Sequence, residues 1–118
     1  MFAPFEAFLH LPRATEKSDP SWFAYLLTVK ESSPFSRFEL TSFLEDAKIQ
    51  TRSYFSGNIL YHPGYSFLAS RYDDLKGSFP NAHRATESSF FLGTYAGITE
   101  EKLQYIQSKV LEFMEKYK

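Results

Sequence analysis

Apolar positions along the chain fall into segments with different periods. Phe2, Phe5, Phe8 and Leu9 recur at helix-like spacing, and Pro4 limits that segment to one or two turns. Residues 12–21, PRATEKSDPS, are polar and read as a loop lying over the domain. Residues 22–30, WFAYLLTVK, are almost continuously aromatic and β-branched between Pro20 and Pro34, which predicts a central strand buried on both faces. Ser36 and Glu39 have the spacing of a capping box, with Phe35 placed to staple onto Leu40. The helix they open should run to about Lys48, burying Leu40, Phe43, Leu44 and Ala47 and leaving Arg37, Glu45, Asp46 and Lys48 solvated.

A short extended run follows, IQTRSYF, in which Gln50, Arg52 and Tyr54 alternate with Ile49, Thr51, Ser53 and Phe55. It ends at Ser56-Gly57-Asn58, a turn composition, with Asn58 at the strand's end. Residues 59–80 read as irregular, with a helical turn or two within 66–76. Asn81–Ser88 predicts a short helix, and SFFLGTY a third strand ending near Gly97. Thr99 caps a final helix with Glu100 and Glu101 in its first turn and Lys116 and Lys118 in its last, both favourable to the helix dipole. Its buried face should be Leu103, Ile106, Val110, Phe113, Met114 and Tyr117. The pattern is that of an α+β two-layer sandwich, a small, mainly antiparallel sheet with helices on one face.

Composition narrows the partners. At 118 residues the chain is long enough for one core, and without cysteine it offers neither a disulfide nor a thiolate metal site, which fits a reducing, cytoplasmic setting. A net charge of −1 with mixed signs gives no footprint for nucleic acid, and no apolar run approaches the roughly 20 residues of a membrane span. Thirteen Phe, eight Tyr and one Trp exceed what a core of this size hides, so some should face a partner.

Catalytic motifs are missing: there is no nucleophile elbow, phosphate loop, dinucleotide fingerprint or HExxH. His10, His62 and His83 lie in different elements and predict no metal site, and Asp73-Asp74 reads as a solvated loop. The chemically suggestive set is Arg52, Phe55, Gly57 and Asn58. A guanidinium forks onto a phosphate or carboxylate, an aromatic lies against a sugar or base, and an amide reads hydroxyls. The competing reading pairs Arg52 with a helix carboxylate and puts Phe55 in the core.

The stretch from SDPSWF through TRSYFSGN, then HPGY, FPNAHR and SFFLGTYAGITEEKLQYI, resembles the C-terminal small domain of the DegT/DnrJ/StrS family of pyridoxal-phosphate enzymes. Within it, the TR..F.GN pattern carried by Thr51, Arg52, Phe55, Gly57 and Asn58 looks closest to the CDP-4-keto-6-deoxyglucose 3-dehydrases of lipopolysaccharide sugar synthesis. His62-Pro63 stands where that branch has Gln-Pro, Ala96-Gly97 where it has Pro-Gly, and Trp22-Phe23-Ala24 where it has Trp-Phe-Gly. The resemblance implies residues 1–21 as a short helix and linker and 22–118 as the small domain. It implies Arg52, Phe55, Asn58 and His62 as substrate contacts on one wall of a cleft, with no catalytic, cofactor or metal residue in this chain. PLP or PMP, and the lysine or histidine that works on it, would belong to an absent large catalytic domain, with a CDP-sugar as substrate and a homo-oligomer as assembly. The chain would then be an excised C-terminal domain, a processed piece or a separately encoded remnant. The alternatives are a remnant of a sugar aminotransferase or, in a different class of function, a stand-alone interaction module that keeps the fold without the chemistry, and an adjacent reading frame for the large domain would favour the first reading.

Overall fold

A computed structural model describes residues 2–117. Four strands form one antiparallel sheet in the order β1-β2-β4-β3: β1 Leu9–His10, β2 Ala24–Val29, β3 Thr51–Ser53 and β4 Ser89–Gly93. Five helices, α1 Arg37–Asp46, α2 Ser66–Ala69, α3 Leu75–Ser78, α4 Pro80–Ser88 and α5 Glu100–Glu115, complete the α+β fold.

The register sorts side chains onto two faces. Leu27 lies opposite Phe90, Tyr25 opposite Leu92 and Leu9 opposite Val29. These point toward α1 and α5, and with Leu40, Leu44, Val110, Phe113 and Met114 they make the buried core. On the other side Leu26 lies opposite Phe91, and Phe91 opposite Arg52. The strand expected to be buried on both faces is therefore buried on one. Trp22 and Phe23 fall outside it and are exposed, and Leu26, on the face opposite α1 and α5, is half-buried.

The N-terminus also departs from expectation. A single 3-10 turn at Ala3–Phe5 gives way to β1, an edge strand paired with β2. Phe2 and Phe5 are nonetheless buried, with Phe2 stacked on Tyr25 at 5.2 Å. Residues 13–19 are exposed and irregular.

Helix α1 begins at the capping box: the Glu39 N–H donates to Ser36 Oγ at 3.2 Å and the Ser36 N–H to the Glu39 carboxylate at 2.7 Å. It ends one residue earlier than Ala47, in a Schellman motif. The Ile49 N–H reaches Leu44 O and the Lys48 N–H reaches Glu45 O, with Lys48 at φ +64° in the left-handed position that usually holds glycine. Arg37, expected in solvent, instead donates to Glu87 O at 3.0 Å and Ser53 Oγ at 3.3 Å, tying α1 to the end of α4 and to β3.

Between β3 and β4 the chain is not fully irregular. Two 3-10 turns at Ile59–Tyr61 and Pro63–Tyr65 lead into α2, Asp74 caps α3 through the Gly77 N–H, and α4 starts on Pro80, whose missing N–H suits a first helical position. In α5, Val110, Phe113 and Met114 are buried, and Ile106 and Tyr117 pack against the core. Leu103, expected among them, is only half-buried and lies outside the cluster. Lys116 is the C-cap, its Nζ 4.5 Å from the Phe43 ring, and Lys118 lies outside the described residues.

Candidate functional site

The face of the sheet opposite α1 and α5 carries Arg52 and Phe91, with Phe55 packed on Phe91. Arg52, at the centre of the edge strand β3, faces away from the core and is exposed. Among the described residues it makes no hydrogen bond and no ion pair, so its guanidinium fork is available. The helix carboxylate that could have paired with it, Glu45, is held by Thr51, whose hydroxyl donates to Glu45 Oε1 at 2.8 Å alongside its N–H. These bonds, with a smaller contribution from the Arg52 charge, hold the Glu45 carboxyl below its ordinary range.

Phe55 is not in the core. It is 68% exposed and adopts φ +45°, a left-handed conformation that costs a bulky L-residue about 1–2 kcal/mol. Its ring packs on Phe91 at 5.8 Å, on Phe23 at 6.3 Å and on Tyr54 at 5.4 Å. Phe91 is the residue directly across from Arg52, so cation and aromatic cluster are neighbours on one surface.

The loop is pinned from beneath. Gly57 has φ +56°, and a Cβ there would come within 2.9 Å of the Thr86 Cα as well as meeting its hydroxyl. The next N–H, of Asn58, donates to Thr86 Oγ1 at 2.6 Å, and Thr86 in turn donates to Ala82 O at 2.9 Å. Helix α4 thus fixes the strained turn. Asn58 itself is only 4% exposed: its Oδ1 accepts from the Leu60 N–H at 3.1 Å, while Nδ2 is buried without a partner among the described residues. Its amide is therefore buried, whereas Arg52 and Phe55 are exposed.

His62 is exposed, and its Nε2 lies 2.8 Å from Ser56 O. A carbonyl only accepts, so Nε2 carries the proton. The imidazole therefore braces the same loop. His83, on α4, shares a hydrogen bond of 2.8 Å between Nδ1 and the Tyr61 hydroxyl. His10 sits across from Thr28, at the opposite edge of the sheet from Arg52. No group of three or more His, Asp or Glu side chains able to hold a metal occurs among the described residues.

Phe23 and Phe91 were missed by the sequence reading. Both belonged to apolar runs assigned to strands, and only the one-sided cover of the sheet puts their rings on the surface beside Phe55.

Residues 1–111 match the DegT/DnrJ/EryC1/StrS aminotransferase family. The chain is 45% identical over 106 residues to the lipopolysaccharide biosynthesis protein RfbH of Salmonella typhimurium, a match covering 90% of this chain and 24% of that protein. It is 38% identical over 108 residues to a dTDP-4-dehydro-2,6-dideoxy-D-glucose 3-dehydratase of Saccharopolyspora spinosa, covering 92% and 23% respectively. The chain thus spans about a quarter of the length of the curated relatives it matches. Among solved structures, its fold is similar to a GDP-4-keto-6-deoxymannose-3-dehydratase (ColD) variant with bound GDP-perosamine, at TM-score 0.67, 20% identity and coverage of 86% of this chain and 25% of that one. The E. coli GDP-4-keto-6-deoxy-D-mannose-3-dehydratase with bound hydrated PLP aligns at TM-score 0.62, 19% identity and coverage of 88% and 25%. By its sequence, this chain belongs to the DegT/DnrJ/EryC1/StrS aminotransferase family.

Proposed function

We propose that this chain acts as the small domain of a nucleotide-sugar 3-dehydratase, the sheet face opposite α1 and α5 forming one wall of a substrate cleft closed by a larger, cofactor-bearing domain. The observation that carries this reading is the unpaired Arg52 guanidinium standing beside the exposed, backbone-strained Phe55. Residues held in disfavoured backbone conformations are costly in a fold that does not use them, and they cluster at ligand sites. A nucleotide sugar offers what this pair recognises, a diphosphate for a bidentate cation and flat faces for an aromatic.

The face itself does not fit the pyridoxal cofactor. Such a site needs an amine or imidazole at the aldehyde, a partner for the ring nitrogen and a cluster of donors at the phosphate. Around Arg52 the sheet presents Leu26 and Phe91, flanked by Phe23 and Phe55, with no lysine or carboxylate among them. In this reading the chain's own residues therefore bind and orient the substrate, and the chemistry is done by the other domain. Asn58 and His62 act by holding the loop, Asn58 as cap to the 3-10 turn after it and His62 through Ser56 O.

The test is a chimaera in which residues 1–111 replace the corresponding domain of the Salmonella relative, assayed with a CDP-linked 4-keto-6-deoxy sugar. Arg52→Ala in that chimaera should lower kcat/KM by about 10- to 100-fold, the range for losing a charge-assisted contact, with the cofactor's absorbance unchanged. Unaltered kinetics would refute the role of this face. A chimaera that folds and holds cofactor yet never turns over would favour a non-catalytic interaction module.

A further inference from the structure

The exposed rings on this face form a defined figure. The centroids of Phe23, Phe55 and Phe91 are 6.3, 6.1 and 5.8 Å apart, close to an equilateral triangle, and the Phe23 and Phe55 planes lie within 20° of parallel. Phe91 is the half-buried floor, while Phe23 and Phe55 are 75% and 68% exposed. The two outer rings come from segments far apart in sequence, the entrance to β2 and the exit from β3, so no local constraint makes them meet. One of them is held there at positive φ by the Thr86 anchor.

We infer that this triangle is a stacking platform for the nucleobase of the substrate, with Arg52 as the adjoining phosphate contact. The inference rests on the nucleotide-sugar reading above and specifies which end of the substrate this face holds. Two observations favour the base over the hexose. A pyranose is read chiefly through its hydroxyls, and the amide best suited to that, Asn58, is buried. A base has apolar faces that stack on any aromatic, and its phosphates then fall toward the next strand, about 4.8 Å away, where Arg52 lies directly across from the floor ring.

The experiment is an NMR titration of this chain, observing aromatic ring and Arg52 Nε–H resonances, with cytidine 5′-diphosphate and ribose 5-phosphate as separate probes. The diphosphate should shift both the Phe23 and Phe55 rings and Arg52, and ribose 5-phosphate Arg52 alone. Phe23→Ala, a substitution of an exposed residue, should weaken the cytidine diphosphate about 5- to 100-fold and leave ribose 5-phosphate unaffected. Equal weakening of both probes, or ring resonances unmoved by the nucleotide, would overturn the base platform while a surviving Arg52 response kept the wider reading. Ring shifts that follow protein concentration and ignore the nucleotide would put a second copy on the platform and overturn it too. If neither probe moves Arg52, the substrate-wall reading falls with it.

Discussion

Replacing Phe113 by alanine should be among the most damaging single changes to this fold. The side chain is 3% exposed and sits where α5 crosses α1, with ring centroids 5.0 Å from Phe35, 5.4 Å from Phe43 and 5.3 Å from Tyr117. Truncating a buried phenylalanine costs about 3–5 kcal/mol, from lost transfer energy and the cavity left behind. Here the upper half of that range is expected, because three aromatic contacts, each worth about 0.5–1.5 kcal/mol beyond burial, go with it. Against a total stability of about 5–15 kcal/mol, that is a quarter or more. Leu103, on the same helix, supplies the control. It is half-buried and outside the core, so Leu103→Ala should cost about 1 kcal/mol. In urea unfolding followed by far-UV circular dichroism, with m at about 1–3 kcal/mol/M, Phe113→Ala should lower the midpoint by about 2 M and Leu103→Ala by well under 1 M. Equal shifts for the two, or a changed slope m for Phe113→Ala, would show that α5 does not pack as described.

Three further outcomes follow from local geometry. Lys48→Gly should raise stability by about 1 kcal/mol in the same assay, since it removes the side chain from a left-handed C′ position at φ +64° while leaving both Schellman bonds in place. Gly57→Ala should lower it by about 2 kcal/mol or more, because the new Cβ meets the Thr86 backbone at a positive φ; a neutral result would mean that α4 does not lock the turn. Glu45 has a folded pKa below its unfolded value, so the stabilisation it gives is complete above about pH 5 and is lost as pH falls through the lowered value. Glu45→Gln should accordingly flatten the acid side of the stability curve, and an unchanged acid limb would remove Thr51 as the cause.

What could be read in advance was whatever depends on residues close in sequence. The Ser36–Glu39 capping box, the Thr99 cap and the inward stripe of α5, Leu103 apart, are local patterns with one physical solution each. The edge strand β1 was not legible, because Leu9-His10 takes its extended form from pairing with Val29 and Thr28, twenty residues on. Nor was the one-sided burial of β2, since a run such as Trp22–Val29 reads the same whether its second face meets a helix or water. Arg52 and Phe55 were identifiable as candidates. Asn58 shows the limit of such reasoning: a polar residue at a strand end reads as a surface donor, yet Thr86 draws its backbone inward and the 3-10 turn takes its Oδ1.

The distribution of exposed aromatics separates a site from a surplus. Phe38, Phe67 and Tyr95 are each more than 60% exposed, but they lie on α1, on α2 and in the turn after β4, and no ring contact joins any of them to another. Single apolar residues on a surface need no explanation. Phe23, Phe55 and Phe91 are different, for they touch one another, and the ring that completes the group is held at a backbone conformation its residue type disfavours. Leaving Phe55 exposed forgoes burial worth about 1.5–3 kcal/mol, and the left-handed backbone costs about 1–2 more. Packing on Phe91, Phe23 and Tyr54 offsets only part of the first cost, since Phe55 contributes nothing to the core on the other side of the sheet. On the proposed reading, a base stacked on the triangle would recover the lost burial, and Arg52 on the next strand would favour one with an anion attached.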